Sequence, residues 1–371
     1  METVSIAIIG AGIVGLSVAA KLSETNEGIY VFEKNKKFGQ ETSSHNSGVL
    51  HSGIHYPKNT LKARLCVKGN YMNYQICEKH RLSFKKLGKL TVAVEEGEID
   101  ELEKLIRMGQ DNGTEGLKFL DKEEIKKLEP NIKVERALFT PSTGIVEPDE
   151  LMNHFYAQAY RKGAAFSMET EVTGIRKTEG RYELSGTSVN ERFVVNARTV
   201  INCGGLYADK IAEMVGLQVD RLGYRLHHCK GDYFRLLGKP PVKMLVYPVP
   251  KGAGLGIHLT PDLGGSVRLG PNAYYVNNIN YEVESSEKEF REDVERFLPS
   301  VRERQIQADS SGIRPKLQGP NDGFRDFIIK HEADRDLFGL INLVGLESPA
   351  LTAAPAIAEY VAEIYENEIK R

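Results

Sequence analysis

The chain lacks most features that would mark it as a secreted or nucleic-acid-binding protein. Its four cysteines are scattered and form no C-x-x-C pair, which disfavours a disulfide framework and favours a cytoplasmic location. The charges nearly balance, with 49 basic and 51 acidic residues. Because no basic excess is present to displace phosphate counterions, we expect no nucleic-acid partner.

Long apolar segments are also missing. The longest uncharged run covers residues 4–20, is interrupted by glycine and follows Glu2 rather than a basic segment. It is too short for a membrane span and lacks the flanks of a signal peptide. The sequence therefore predicts no membrane-spanning helix, and it leaves peripheral membrane contact open.

Glycine is the one residue type in excess. The 371 residues include 35 glycines, whereas about 26 would be usual for this length. Hydrophobic residues make up 41% of the chain, which excludes a disordered protein, and the length suggests two domains. The glycine surplus indicates positions where the backbone must approach another group closely.

The N-terminus has the pattern of a strand, a glycine turn, a helix and a second strand. The predicted strands are residues 4–9 and 29–32, and the predicted helix is residues 13–24. Between them lies Gly10-x-Gly12-x-x-Gly15, and Glu33 ends the second strand. This is the context that a dinucleotide fingerprint requires, with phosphates at the helix N-terminus and the carboxylate on a ribose. A similar motif, Gly252-x-Gly254, is followed by Pro261 and is interpreted as a strand-associated turn.

The later patterns alternate between helical and strand-rich stretches. Helices are predicted over residues 98–128, 149–163, 207–215, 284–297 and 353–366, and strands within 165–201, 199–205, 222–283 and 339–344. The predicted fold class is α/β with mixed α+β character, a Rossmann-like domain with an inserted mixed or antiparallel-sheet domain. The first domain takes residues 1–80, 146–220 and 306–371, and the second takes residues 81–145 and 221–305.

Three of the nine histidines fall within residues 45–55, among hydroxyl and amide side chains. Such a loop suits hydrogen bonding to a polar cofactor and the presentation of a proton acceptor. No acidic residue lies between His45 and His55, so a metal site is not expected. A surface loop with incidental histidines is the alternative.

The fingerprint, the run from Glu41 to Tyr56 and the segment 61–66 together resemble the FAD-dependent D-amino-acid-oxidase-like superfamily, and most of all its L-2-hydroxyglutarate oxidase/dehydrogenase family. Segments 202–205, 231–235, 247–250, 256–260, 265–273 and 345–352 share the resemblance. It implies non-covalent FAD and a substrate domain covering the flavin. The cofactor-binding residues that it implies are Gly10, Gly12, Gly15, Glu33, Lys34, Thr42, Ser43, Ser44, His45, Asn46, Ser47, Val172, Cys203, Gly204, Gly205, Gly345, Leu346, Glu347, Ser348, Leu351 and Thr352.

The same resemblance implies oxidation of a hydroxy acid, with a base that takes the hydroxyl proton. Histidine suits this role because its pKa lies near neutrality, and His51 and His258 are both candidates. A carboxylate substrate needs a fixed cation, for which Arg314 of the Gly-x-Arg-Pro segment is the first candidate. The remaining substrate-binding candidates are Tyr56, Lys62 and Tyr247, followed by Arg64 and Arg268.

The expected reaction is the oxidation of an L-2-hydroxy acid, most of all L-2-hydroxyglutarate, to the 2-oxo acid. The expected partners are a small anionic substrate and an electron acceptor, which is oxygen, a quinone or a protein. The alternatives are FAD-dependent glycerol-3-phosphate dehydrogenase, an amine or amino-acid oxidase, and a flavin module without turnover. The short stretch after Arg314-Pro315 differs from the longer members of both the hydroxyglutarate and glycerol-phosphate families.

Overall fold

The computed structural model describes residues 3–249 and 256–370. The chain divides into two compact units, each built from separate segments. Unit 1 comprises Met1–Ser44, Pro148–His228 and Arg314–Arg371, and unit 2 comprises His45–Glu147 and Cys229–Ile313. These limits describe compact units of the structure. The domain boundaries that the sequence analysis gives are a separate matter and stay a prediction.

The helices of the described residues are distributed over both units. Their bounds are α1 Ile13–Leu22, α2 Leu61–His80, α3 Ile99–Asp111, α4 Lys122–Leu128, α5 Pro148–Arg161, α6 Ala208–Met214, α7 Val219–Leu222, α8 Glu287–Glu295 and α9 Ala350–Ile364. None of the helices in the described part of the chain has the length and apolarity needed to cross a membrane.

The strands form three sheets. Their bounds are β1 Thr3–Ile9, β2 Ile29–Phe32, β3 Val49–Leu50, β4 Phe84–Lys85, β5 Lys89–Ala93, β6 Lys118–Leu120, β7 Arg136–Thr140, β8 Gly144–Val146, β9 Ala165–Ser167, β10 Thr170–Thr178, β11 Arg181–Ser188, β12 Glu191–Asn202, β13 His227–Leu236, β14 Leu245–Pro248, β15 Leu259–Pro261, β16 Val267–Leu269, β17 Tyr274–Val276, β18 Ile306–Lys316, β19 Ile328–His331 and β20 Leu340–Val344.

Unit 1 is built on an eight-stranded sheet. β9, β2, β1, β12 and β20 lie side by side in that order, and each neighbouring pair is parallel. β10 and β11 extend β12 as an antiparallel meander, and β19 pairs antiparallel with β20. Every residue of β1 from Ile6 to Ile9 is buried, as expected for a parallel strand covered on both faces.

Unit 2 holds a nine-stranded mixed sheet and a small three-stranded one. The larger sheet runs β17-β13-β16-β15-β14-β5-β7-β6, with β18 beside β13. β5 lies parallel to β14 and antiparallel to β7, so the sheet is mixed. All five residues of β5 are buried, since this strand lies inside the sheet. The predicted fold class, α/β with a Rossmann-like part and a mixed-sheet part, is confirmed.

Several predicted elements need correction. The longest helix, α2, falls on a segment for which no helix was predicted. The predicted helical stretch 98–128 contains strand β6 between α3 and α4. The helices predicted over 284–297 and 353–366 run instead over Glu287–Glu295 and Ala350–Ile364. The predicted turn at Gly252 and Gly254 lies outside the described residues.

Candidate active site

The predicted nucleotide-binding segments meet at one edge of the unit 1 sheet. In the parallel register Ile9 lies opposite both Phe32 and Asn202, and Asn202 lies opposite Asn342. β1, β2, β12 and β20 therefore end at the same edge. The segments that begin at Gly10, Glu33, Cys203 and Gly345 all leave the sheet there. In open α/β sheets this carboxyl edge is where ligands bind.

The turn after β1 has no room for side chains. Gly10 has a φ of 103°, and a Cβ built on it would lie 2.4 Å from the Cys203 carbonyl oxygen. A Cβ on Gly15 would lie 2.0 Å from the Gly10 oxygen. Gly12 is the N-cap residue of α1, and no acidic residue occupies the first turn of that helix. The positive end of α1 is therefore not neutralised by a carboxylate of its own first turn.

Glu33 lies buried at the end of β2, 7% exposed. Its carboxylate accepts hydrogen bonds from the Ala11 backbone N–H at 2.8 Å and the Asn35 backbone N–H at 2.9 Å. Each carboxylate oxygen has a second lone pair in addition to the one used by the backbone. Glu33 thus fixes the glycine turn and retains acceptor capacity for a ribose diol.

The segment after Glu33 packs around the start of α1. The Ser43 hydroxyl accepts from the Ile13 N–H at 2.9 Å, and the Ser44 hydroxyl donates to the Glu41 carbonyl at 3.2 Å. Lys34 bonds to Glu41 at 3.0 Å and lies 3.8 Å from the centre of the Tyr207 ring. Burial lowers the pKa of Lys34, but Glu41 and Tyr207 outweigh this, so its pKa is raised. Thr42 lies between Glu41 and Ser43 in the sequence.

The glycine pair after β12 provides a second close approach. A Cβ on Gly204 would lie 2.2 Å from Ile211 Cδ1, whereas one on Gly205, where φ is 53°, would meet open space. Cys203 donates its N–H to the Ile9 carbonyl at 2.9 Å. Burial raises the pKa of the Cys203 thiol to about 12, so this thiol stays protonated and is a poor nucleophile.

The segment after β20 turns at Gly345, where φ is 74°, and leads into α9. It carries the predicted residues Leu346, Glu347, Ser348, Leu351 and Thr352. The Glu347 N–H donates to the Gly345 carbonyl at 2.9 Å. Val172 lies on β10, buried in the unit 1 core next to an irregularity in its pairing with β11.

Unit 2 carries a row of polar side chains on one face of its large sheet. Val246 of β14 lies opposite Leu259 of β15 in an antiparallel pair, so Tyr247 lies opposite His258. The two rings stack with centroids 3.5 Å apart and planes 9° from parallel. Tyr247 also lies beside Thr91 of β5 in the parallel register.

Lys89 joins this row to the histidine segment. Its Nζ lies 3.1 Å from His55 Nε2 and 5.0 Å from the centre of the Tyr247 ring. Burial lowers the pKa of Lys89 to about 7. Desolvation, followed by the nearby charges of Lys89, His51 and His258, holds the pKa of His55 well below its usual range. The amine and the other two imidazoles therefore all disfavour a positive charge on His55.

The other residues of the histidine segment are also fixed by contacts within unit 2. The His51 carbonyl accepts from Asn70 Nδ2 at 3.0 Å, and the Tyr56 carbonyl accepts from Asn112 Nδ2 at 2.7 Å. His45 stacks on Tyr281 with ring centroids 3.8 Å apart.

Close backbone packing continues on either side of His45. A Cβ on Gly312 of β18 would lie 2.3 Å from the His45 carbonyl oxygen. The Asn46 side chain accepts from the Gly48 N–H at 2.8 Å, and Ser47 lies between the two.

The cationic candidates for substrate binding differ in their surroundings. Lys62 is 5% exposed on α2, whereas Arg64 on the same helix is exposed. Arg268 forms an ion pair with Asp309 at 3.0 Å, so its charge is already balanced. Arg314, which is half-buried, begins the last segment of unit 1 and directly follows the Gly312 approach.

Sequence reasoning missed two buried lysines and the role of His55. Lys89 begins an apolar strand, and Lys230 lies in β13, where its Nζ donates to Asn280 Oδ1 at 2.7 Å. For Lys89 the signal is a charged residue in a strand segment whose other members are apolar or polar-neutral, whereas the strand of Lys230 also carries Asp232 and Arg235. That signal indicates burial only when the neighbouring strands are known.

The residues present fit a bound dinucleotide and a polar substrate. Unit 1 has an uncompensated helix N-terminus for a pyrophosphate and a buried carboxylate for a ribose. Unit 2 has buried polar atoms without a hydrogen-bond partner among the described residues, and these include His55 Nδ1 and the hydroxyls of Ser52, Thr91, Thr140, Thr143, Thr260 and Ser311. Orphaned buried polar groups are rare in folded proteins and mark places where a ligand or water completes the pairing. Among the described residues no group of His, Cys, Asp and Glu is arranged to hold a metal.

The fold and the glycine-lined edge define a dinucleotide-dependent oxidoreductase of the flavin type. The chain belongs to the DAO family of FAD dependent oxidoreductases, whose model matches residues 5–364. FAD is its cofactor, and the resemblance of the fingerprint and histidine segments to this superfamily is confirmed.

Known relatives cover nearly the whole chain. The mitochondrial L-2-hydroxyglutarate dehydrogenase of Arabidopsis thaliana is 34% identical over 401 residues, covering 97% of this chain and 83% of the relative. A glycerol 3-phosphate dehydrogenase of Caloramator mitchellensis is 32% identical, covering 99% and 74%. The FAD-bound L-alpha-glycerophosphate oxidase of Mycoplasma pneumoniae superposes with a TM-score of 0.85 at 25% identity, covering 99% and 95%.

Proposed function

We propose that this protein oxidises L-2-hydroxyglutarate at its C2 hydroxyl group to the 2-oxo acid. The observation that carries the proposal is the cluster of His51, His55, His258, Tyr247 and Lys89 in unit 2. Imidazoles are suited to accept the proton of a hydroxyl group near neutral pH. The similarity to L-2-hydroxyglutarate dehydrogenases supports the choice of substrate.

The chain's own residues divide the chemistry between proton transfer and orientation. FAD, when bound, supplies the acceptor for the hydride that leaves C2. His51 or His258 accepts the hydroxyl proton as the C2–O bond becomes a carbonyl. A neutral imidazole is required for this, and a group of coupled imidazoles resists protonation because each added charge raises the cost of the next.

Arg314 is the proposed anchor for the C1 carboxylate. A guanidinium presents two parallel N–H donors to a carboxylate and keeps its charge at every physiological pH. Lys62 is the proposed partner of the second carboxylate, and Tyr56 and Tyr247 contribute hydrogen bonds. Arg268 is a weaker candidate because Asp309 already pairs with it.

Glycerol 3-phosphate is the second candidate substrate. The Caloramator mitchellensis and Mycoplasma pneumoniae proteins, which match this chain over nearly its full length, favour it. In that case the alcohol oxidation would be the same, and Arg314 and Lys62 would bind a phosphate group instead of two carboxylates. The two substrates are distinguished by their anionic groups, not by the oxidation step.

The deciding experiment is anaerobic bleaching of the flavin by a panel of substrates. The panel contains L- and D-2-hydroxyglutarate, lactate, glycerol 3-phosphate, sarcosine and proline. We expect bleaching by L-2-hydroxyglutarate. Bleaching by glycerol 3-phosphate alone would refute the proposal in favour of the second candidate, and bleaching by sarcosine or proline alone would indicate an amine or amino-acid oxidase. No bleaching by any of them would indicate a flavin module without turnover.

Substitution of Arg314 tests the anchor. Loss of a bidentate carboxylate contact is expected to raise KM by about tenfold to a hundredfold in Arg314→Gln. Arg176→Gln is the matched control, because Arg176 is exposed and pairs only with Glu183 in the described structure. An unchanged KM in Arg314→Gln would remove Arg314 from the site.

We further propose that FAD is bound without a covalent link, since the Cys203 thiol is protonated. A cytoplasmic location is proposed from the scattered cysteines, and all four are free thiols. Denaturation followed by filtration tests the first proposal, because non-covalent flavin passes the membrane with the small molecules. The electron acceptor is proposed to be oxygen, a quinone or a protein.

A further inference from the structure

Lys89 is a buried lysine that has no acidic partner within residues 3–249 and 256–370. It is 1% exposed at the start of β5, with Thr140 of β7 and Leu245 of β14 as its strand neighbours. No carboxylate of the described residues forms an ion pair with it. Burying a charge in this way costs several kcal/mol, on the order of the desolvation penalty of one ion. A group kept at such a cost has a role beyond packing the strand.

Among the described residues, the Lys89 ammonium group has one hydrogen-bond contact, and its partner is the His55 imidazole. An ammonium group only donates, so a charged Lys89 requires His55 Nε2 to accept, and the ring hydrogen must then reside on Nδ1. A neutral amine can donate or accept, so His55 can then carry its hydrogen on Nε2. A charged Lys89 therefore makes His55 Nδ1 a donor, and loss of that charge allows His55 Nδ1 to become an acceptor.

His55 Nδ1 is the ring nitrogen whose hydrogen depends on the charge of Lys89. His55 as a residue is partly exposed, yet this nitrogen is buried and has no hydrogen-bond partner among the described residues. The opposite ring nitrogen is held by Lys89. With a hydrogen on Nδ1, His55 pairs with an acceptor of a ligand or water. Without that hydrogen, His55 Nδ1 pairs with a donor instead.

The titratable groups around Lys89 come from several elements. His55 contacts it from the histidine segment, Tyr247 faces it from β14, and Cys66 of α2 interacts with its charge. The charges of His51 and His258, like that of Lys89, lower the pKa of His55. Burial raises the pKa of the Cys66 thiol, so Cys66 stays uncharged and does not balance Lys89.

We propose that Lys89 is a positioning residue that, as a cation, fixes His55 as the neutral ring with its hydrogen on Nδ1 and keeps His51 and His258 unprotonated. The kinetic part of this inference rests on the proposed function, whereas the tautomer part does not. Lys89 therefore acts through the imidazoles and touches no reacting atom itself.

The tautomer is measured directly in the holoenzyme by nitrogen NMR of histidine-labelled protein, with His55→Asn to assign the signal. Below a pH of about 7 we expect the Nδ1–H tautomer, and above it a change to Nε2–H as Lys89 loses its proton. An Nε2–H or a doubly protonated His55 below that pH would overturn the proposal. So would a tautomer that stays the same on both sides.

The kinetic test compares Lys89→Met with the wild type over a range of pH. Without the cation the imidazoles protonate more readily, so the acid limb of anaerobic flavin reduction should move to higher pH by about one unit. At a pH on that limb the rate should fall about tenfold relative to wild type, and at alkaline pH the two rates should agree. Lys89→Arg, which keeps the charge, should retain the wild-type limb.

Lys86→Met is the matched control, because Lys86 is an exposed lysine whose ammonium lies 5.2 Å from the Tyr74 ring. Its pH profile should equal that of the wild type. A Lys89→Met rate lowered equally at every pH would show a purely structural role and refute the proposal. If the wild type is not bleached by L-2-hydroxyglutarate, the proposed function fails, and the NMR measurement still decides the role of Lys89.

Discussion

The carboxyl edge of unit 1 and the polar face of unit 2 differ in the kind of chemical group that forms them. The edge relies on backbone groups: Gly10 and Gly15 permit close approach, and the start of α1 supplies dipole and N–H groups. The polar face relies on side chains, with Lys89, His55 and Tyr247 in mutual contact. Backbone sites depend little on pH, whereas the side-chain cluster depends on it strongly. We therefore expect cofactor binding at the first region to vary little with pH, and we propose that the second governs proton transfer.

The largest effect is expected from filling the glycine turn. Gly15→Ala would place a Cβ 2.0 Å from the Gly10 oxygen, a backbone atom that cannot move aside cheaply. We expect loss of most of the bound flavin, measured as flavin absorbance per mole of purified protein. Gly323→Ala is the control, since its Cβ would meet nothing within 4 Å. Full flavin content in Gly15→Ala would show that the turn adapts.

Lys89 should make stability depend on pH in a predictable direction. The pKa of Lys89 falls from its ordinary 10.5 to about 7 on folding, so the unfolded chain binds this proton first. Stability is therefore lost as the pH falls from about 10.5 to about 7, and the loss is complete below that window.

Lys89→Met removes this dependence. Its stability relative to wild type should rise by a few kcal/mol, on the order of the shift, as the pH is lowered through the window. Urea unfolding at both ends of the window measures the difference. Lys86→Met, an exposed control, should show a constant difference from wild type, and a constant difference in Lys89→Met would mean that the lysine is solvated.

A smaller effect is expected from Glu33→Gln. The amide keeps one oxygen that can accept from the Ala11 N–H, but it loses the charge and the second acceptor. We expect FAD affinity to fall by about tenfold, near 1.4 kcal/mol, measured by titration of the apoprotein. Glu33→Ala, which leaves both N–H groups unpaired, should weaken binding further. Equal affinity in all three proteins would show that Glu33 serves the fold alone.

The two regions also differ in how far they could be predicted. The strand–turn–helix unit was predicted nearly to its limits, with β1 at Thr3–Ile9 and α1 ending at Leu22 rather than at residue 24. α2 was missed, although Thr60 accepts from the Ala63 N–H as its N-cap. Its interior mixes glycine, asparagine and tyrosine, so the apolar period that identifies an amphipathic helix is weak.

Lys89 shows why the side-chain cluster could not be predicted. In the sequence it is a lysine at the start of a short apolar strand, a position usually exposed to solvent. Only the pairing of β5 with both β14 and β7 buries it, and only the antiparallel register of β14 and β15 places Tyr247 against His258. Register is a property of strands that are distant along the chain.

The sequence by itself determined the class of cofactor, because close backbone approach is encoded locally in glycines at fixed spacing. Tertiary structure alone decided that the segments beginning at Gly10, Cys203 and Gly345 leave the sheet at one edge, and that an amine contacts an imidazole 34 positions earlier in the chain. The physical reason is desolvation. A lysine becomes a group that titrates near neutrality only where several strands exclude water around it.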